Sequence, residues 1–145
     1  FGVDPKFKSL QAEDYRLEYD SNAYSLGFYD IDYSKIGLLR GFSYADKNDT
    51  IDKVYITTAD KCASFVELSV NDTVKLNVCA RSKNGYLIEG DELSIDYDSS
   101  DSSIALTDAE GEIKALSDGK ATVTVSVTYQ GRTVTSEVDV ISVMK

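Results

Sequence analysis

Ala121-Thr-Val-Thr-Val-Ser-Val-Thr-Tyr129 is the stretch that decides the fold. Apolar and hydroxyl side chains alternate through it without a break. A period of two places Ala121, Val123, Val125, Val127 and Tyr129 on one face, and Thr122, Thr124, Ser126 and Thr128 on the other. Gln130-Gly131 follows as a two-residue turn, with glycine supplying the positive φ that a tight hairpin needs. The return strand, Arg132 to Val143, sends Val134, Val138 and Val140 inward and Thr133, Thr135, Glu137 and Asp139 outward. Its pattern changes phase at Ile141 and Val143, which predicts a bulge or a change of sheet there.

Working outward from this hairpin, further strands are expected every ten residues or so, the spacing of a β-sandwich. They fall at Lys53–Thr57, Ser64–Val70, Thr73–Arg81, Leu93–Asp98, Ser103–Thr107 and Glu112–Leu116. Asn71-Asp72, Asn84-Gly85, Glu110-Gly111 and Asp118-Gly119 separate them as turns. The expected core is Val54, Ile56, Leu68, Val70, Val74, Leu76, Val78, Leu93, Ile95, Tyr97, Ile104, Leu106, Ile113, Leu116, Val123, Val125, Val127, Val134, Val138 and Val140. No helical period persists anywhere from Ile51 onward. The predicted fold is mainly β, an immunoglobulin-like antiparallel β-sandwich over residues 51–145 preceded by a Tyr-rich extended segment.

The run Tyr97-Asp-Ser-Ser-Asp-Ser-Ser-Ile-Ala-Leu-Thr-Asp-Ala-Glu-Gly-Glu-Ile-Lys-Ala-Leu-Ser-Asp-Gly-Lys-Ala-Thr-Val-Thr-Val127 resembles the group 2 bacterial immunoglobulin-like family. The shared features are an aromatic, a Ser/Asp run, a turn closed by glycine, Ala-Leu, and a closing Gly-x-Ala-x-Val-x-Val. Leu68-Ser-Val-Asn-Asp-Thr-Val-Lys-Leu76 matches the family's first hairpin, with Asn71 where glycine is more usual. The resemblance covers nearly all of residues 51–145. It implies a sandwich domain of a bacterial surface protein, adhesin or secreted polysaccharide enzyme, acting as spacer or binding module.

Composition divides the chain at a short polar linker, residues 43–50. Of its 15 aromatic residues, ten lie in residues 1–50. That segment carries six basic and nine acidic residues, against nine and 16 in the remainder, so the net charge of −10 is concentrated in the sandwich. Asp4-Pro-Lys-Phe7, Asp14-Tyr-Arg-Leu17, Asp20-Ser21…Ala23, Leu26-Gly-Phe28 and Ile31-Asp-Tyr-Ser-Lys-Ile-Gly-Leu38 resemble the closing segment of right-handed parallel β-helix carbohydrate-active proteins. Asn22 departs from the proline usual there. The resemblance implies that residues 1–42 end a β-helix-type domain of a polysaccharide lyase or glycoside hydrolase. A β-helix needs about three stacked rungs for a core, so the catalytic rungs would precede Phe1. The aromatic rings of this segment are then expected to have packed on those rungs, or to pack on the sandwich. With Met144 the only methionine, the chain reads as a piece of something longer.

Composition also excludes chemistry. The absence of histidine removes Ser-His-Asp and Cys-His catalysis and imidazole metal sites. A surplus of acid opposes nucleic acid and anionic membrane, and no apolar run reaches the length of a bilayer span. Asp96, Asp98 and Asp101, with Asp30 and Asp32, could offer oxygens to calcium, but no EF-hand-like loop accompanies them, and solvated turn carboxylates are the simpler account. No metal and no cofactor is expected. Cys62 and Cys79, the latter on the outward phase of its strand, could close a disulfide if their strands are neighbours. That bond is expected in an exported protein, free thiols being the alternative. Tyr24, Tyr29 and Tyr33, with Phe28, form the densest aromatic group. They are the candidate glycan platform, against packing in a core or interface. Asn48-Asp-Thr50 and Asn71-Asp-Thr73 match the glycosylation sequon by accident in a bacterial chain.

The expected function is therefore non-catalytic. The chain would be an extracellular or cell-surface accessory region (spacer, stabilising cap or weak polysaccharide-binding module) next to an upstream domain of a carbohydrate-active parent. The competing expectation is an adhesin module that presents the sandwich to a host or matrix partner.

Overall fold

The computed structural model describes residues 4–9, 11, 14–28, 50–59, 61–90 and 92–144. Twelve strands and one single-turn helix occur among them. The sandwich begins with β3 (Ile51–Thr58), β4 (Lys61–Cys62), β5 (Phe65–Ser69) and β6 (Thr73–Ser82). It continues with β7 (Leu87–Ile88), β8 (Ser94–Ser99), β9 (Ala105–Thr107) and β10 (Glu112–Ala115), and closes with β11 (Gly119–Tyr129) and β12 (Arg132–Val143). One sheet runs β4-β3-β6-β10-β9, with β7 also on β6; the other runs β5-β12-β11-β8. The mainly β, immunoglobulin-like sandwich expected from the alternation is the fold observed.

The central hairpin explains why. β11 and β12 pair in unbroken antiparallel register from Gly119↔Ser142 to Tyr129↔Arg132. Gln130 and Gly131 both take positive φ, 48° and 77°, as the tight turn requires. Val123, Val125, Val127, Val138 and Val140 are fully buried, facing Ile51, Ile56, Leu76, Ile113 and Ala105 of the opposite sheet. Each such valine contributes about 1.5–3 kcal/mol by leaving water.

Several expectations need correction. No bulge interrupts β12: Ile141 pairs Lys120 and Ser142 pairs Gly119 in the same register. The apparent phase change arises because the inward slot is filled by Ser142, only 1% exposed, while Ile141 and Val143 sit half-buried on the outer face. Leu106 and Leu116, expected in the core, are exposed. The backbone N–H groups of Ile104 and Ala105 both donate to the Asp101 carbonyl, so a turn occupies 101–104. The strand therefore starts at Ala105, which takes the inward slot and turns Leu106 out. Leu116 follows simple alternation from Ile113 and Ala115, both buried, which leaves it outside. Sequence reading also passed over the two-residue strands β4 and β7, too short to show a period.

The N-terminal segment carries its own small sheet. β1 (Phe7–Ser9) pairs antiparallel with β2 (Asp14–Leu17), and α1 (Asn22–Ser25) follows. Ser21 caps that turn, its hydroxyl accepting from Ala23 N at 3.1 Å. The linker expected at 43–50 lies outside the described residues except for Thr50, as does 31–38 of the expected β-helix closing motif.

Candidate functional site

The site is built around Asp139. Asp139 lies on the outward phase of β12, where water was expected, yet it is only 6% exposed. The hairpin β1–β2 lies beside it on the outer face, where Lys8 reaches Asp139 and Ser64 and Arg16 reaches Glu137, while Thr133, Thr135 and Glu137 keep exposed side chains. Thr122 Oγ1 donates to Asp139 Oδ1 at 2.9 Å, while Lys120 Nζ and Lys8 Nζ lie 3.4 and 3.6 Å from Oδ2. Burial pushes the Asp139 carboxyl up, but the Thr122 hydrogen bond and the two ammonium groups outweigh it and hold the carboxyl below its ordinary 3.8. Asp139, which alternation places on the outward face, is thus buried rather than solvated.

Around Asp139 the hairpin is tied down at several points. Lys8 Nζ donates to the Ser64 carbonyl at 3.0 Å, and Arg16 NH1 to the Glu137 carbonyl at 3.1 Å. Lys120 Nζ also stands 4.5 Å over the ring of Tyr19, a cation–π contact. An open groove of about 420 Å³ remains between hairpin and sheet. Its ten lining residues all carry hydrogen-bonding side chains, with Lys8, Arg16 and Lys120 balancing Glu18, Glu137 and Asp139. Such a lining can hold a polar ligand or ordered water. Asp139, held ionised, has no proton to donate near neutral pH.

Tyr24 is taken up by the same seam. Its ring meets Phe65 edge-on at 5.5 Å, and its hydroxyl shares a 3.3 Å hydrogen bond with Ser64 Oγ. Of the two packing fates expected for these rings, Tyr24 shows contact with the sandwich. Tyr29 and Tyr33, the other members of the candidate glycan platform, lie outside the described residues, as do Asp30 and Asp32. Asp96 and Asp98 stand exposed on β8. Asp101 turns on itself instead: its Oδ1 accepts from Ser103 N and Oγ at 2.9 and 2.6 Å, which lowers its pKa. Among the described residues no group of three or more His, Cys, Asp or Glu is placed to hold a metal ion.

The strands bearing the two cysteines are not neighbours. Cys62 on β4 is in register with Thr57, and Cys79 on β6 with Tyr55, so β3 runs between them. Two interstrand spacings separate their Cα atoms by about 10 Å, beyond the roughly 7 Å that a disulfide spans. The expected pairing of Cys62 with Cys79 does not fit this register.

Tyr97, the aromatic that opens the long Ser/Asp run, lies over Gly111. A Cβ on that glycine would fall 2.5 Å from the Tyr97 ring, and its φ is +79°. Burial, and then the Asp108 carboxylate, raise the Tyr97 phenol above its usual pKa. This aromatic-on-glycine contact joins β8 to the turn before β10, across the sandwich, and both residues are landmarks of the one family pattern that the run from Tyr97 to Val127 resembles. The profile of the bacterial Ig-like domain (group 2) family matches residues 66–138, from β5 into β12.

The chain belongs to the group 2 bacterial Ig-like family.

This Ig-like domain is similar in fold to the surface layer protein SbsC. Against its domains 1–6 the identity is 13% and the TM-score 0.50, covering 68% of this chain and 14% of that one. Against SbsC domains 4 and 5 the identity is again 13%, with a TM-score of 0.46 over 65% of this chain and 54% of that one. An intimin mutant from EHEC O157:H7 matches at 17% identity and a TM-score of 0.38, over 61% and 46% of the two chains. The Ig-like domain thus spans about half, or less, of the length of these structures. No curated protein matches it.

The seam beneath the hairpin was the part sequence reasoning missed. No signal in the sequence points to it: Asp139 stands between two core valines just as Thr124 and Ser126 do.

Proposed function

We propose that this Ig-like domain is a non-catalytic accessory module of an extracellular bacterial protein, a rigid spacer between neighbouring parts of a longer chain. The observation that carries this reading is where the sandwich begins and ends. Thr50, just before β3, accepts a hydrogen bond from Arg132 NH1 at 3.3 Å, at the head of β12. The chain leaves the sandwich after Val143, at the foot of the same strand. Entrance and exit therefore sit at opposite poles, as in modules strung end to end.

The parent we infer is a secreted carbohydrate-active protein, a polysaccharide lyase or glycoside hydrolase. Support for that comes from the resemblance of residues 1–42 to a β-helix closing segment. In this reading the docked hairpin stiffens the joint between the upstream body and the sandwich. A lyase base beside a uronate needs basic groups or calcium to neutralise the substrate, and a net charge of −10 opposes such a polymer.

The test incubates the chain with pectins, xylans and host glycans and looks for unsaturated products or new reducing ends. None are expected. Release abolished by one carboxylate substitution in this chain would overturn the non-catalytic reading. Retardation in a gel containing a neutral glycan, lost with Tyr29→Ala or Tyr33→Ala, would replace the spacer with a binding module.

A further inference from the structure

We propose that the groove between the N-terminal hairpin and the sheet is a saccharide site, taking a neutral, polyhydroxylated ligand. The assignment goes beyond the spacer reading and does not depend on it.

The lining selects the class of ligand. The hairpin segment supplies Lys8, Arg16 and Glu18 to one side, and β11 and β12 supply Lys120, Glu137 and Asp139 to the other. Three cations thus balance three anions, and hydroxyls such as those of Thr122 and Thr135 lie among them. The volume of about 420 Å³ falls within the roughly 300–1,000 Å³ of small-molecule sites. Most such sites are apolar. Here an apolar ligand would take water from polar groups and return no hydrogen bond to them.

Ionic ligands fare little better. Asp139 Oδ2 already holds the ammonium groups of Lys120 and Lys8 at 3.4 and 3.6 Å, and its Oδ1 accepts from Thr122 Oγ1 at 2.9 Å. An anion would compete with Asp139 for its two lysines, in a chain whose net charge is −10. A cation would compete with those lysines for Asp139. A hydroxyl group needs neither exchange. It donates to a carboxylate or accepts from an ammonium group, and so stands in for the water it displaces. Thr135 and Glu137 have exposed side chains on the groove floor, where such hydroxyls can reach them.

The groove also adjoins an aromatic ring. Lys120, one of its lining residues, sets its Nζ 4.5 Å over the ring of Tyr19, which is 43% exposed. A pyranose has hydroxyl edges and apolar C–H faces, and a polar groove beside a half-exposed tyrosine offers a partner to each.

Amide NMR titration of the full chain tests this, with xylotriose, cellotriose and mannotriose as neutral probes. At least one is expected to give saturable shifts at Lys8, Thr122 and Thr135, with a dissociation constant on the order of 1 mM. Thr135→Val and Glu137→Gln, at exposed positions that tolerate substitution, should each weaken that binding about threefold or more. Ser94→Ala, on β8 and away from the groove, should leave it unchanged. The absence of saturable shifts with all three probes at about 20 mM would overturn the assignment. So would binding that is indifferent to both groove variants, or lost instead with Tyr29→Ala or Tyr33→Ala. Trigalacturonate, triglucosamine and diglycine represent anionic, cationic and zwitterionic ligands. Tighter binding of any of these in the groove would overturn the neutral class.

Discussion

Lys8 Nζ lies 3.6 Å from Asp139 Oδ2 and donates to the Ser64 carbonyl, so one amine joins the N-terminal hairpin to β12 and to the residue that leads into β5. The hairpin is thereby part of the sandwich's own electrostatics. Asp139 is buried among groups far away in sequence, and the Thr122 hydrogen bond together with the Lys8 and Lys120 ammonium groups keeps it ionised.

Acid should therefore loosen the seam. A carboxyl whose pKa is lowered by folding stabilises the folded state fully above its unfolded value, near 3.8. That contribution fades as pH falls through the lower folded value. Asp139→Asn should cost about 1–3 kcal/mol at neutral pH. It should also flatten the loss of stability below pH 4, leaving the part due to carboxyls such as Asp101. Urea titrations of both proteins from pH 7 downward would show it, and parallel curves would place the acid response elsewhere.

Hydrogen-bond satisfaction gives a prediction of the opposite sign. The Ser142 hydroxyl is buried with no hydrogen-bond partner among the described residues. Ser142→Ala removes an unsatisfied polar group and should raise the urea midpoint by up to about 1 kcal/mol of stability. A fall in midpoint would mean that the hydroxyl has found a partner such as a buried water.

Gly111 should tolerate no side chain. Its positive φ and the Tyr97 ring above it both act against Gly111→Ala, which is expected to cost about 1–3 kcal/mol. Tyr97→Leu in the same background should recover the steric part of that loss, leaving the backbone strain. Additive losses would show that ring and glycine do not interact.

Core and surface valine-type positions should separate cleanly. Val125→Ala, at a fully buried site, is expected to cost about 2 kcal/mol or more. Leu106→Ala and Leu116→Ala, 48% and 39% exposed, should change stability by only about 0.5 kcal/mol. Thermal melts of the three variants would distinguish this arrangement from one in which Leu106 faces inward.

Those two leucines mark how far periodicity reaches. Long strands announce themselves: eleven residues of β11 alternate without fault, and β3, β5, β6, β8 and β12 were all placed within about two residues of their bounds. A three-residue strand such as β9 cannot show its phase, because a turn at Asp101 decides which residue comes first. Ser142 misled for a different reason, since a small hydroxyl residue in a core slot looks like a surface position. The seam was hidden altogether. Whether an outward residue meets water depends on what else the chain lays over it, and neither Lys8 nor Arg16 carries any mark of a partner more than a hundred residues away. The cysteines show the same limit, for strand order within a sheet is not written in spacing.

The central claim is that the sandwich holds its two ends at opposite poles, and a distance measures it most directly. Spin labels on non-natural residues at Thr50 and Met144 should report one narrow distribution centred near 35–40 Å, about the rise of the twelve residues of β12. A distribution centred below about 25 Å, or one spread broadly across both ranges, would contradict a strand-length separation and with it the reading of this domain as a spacer.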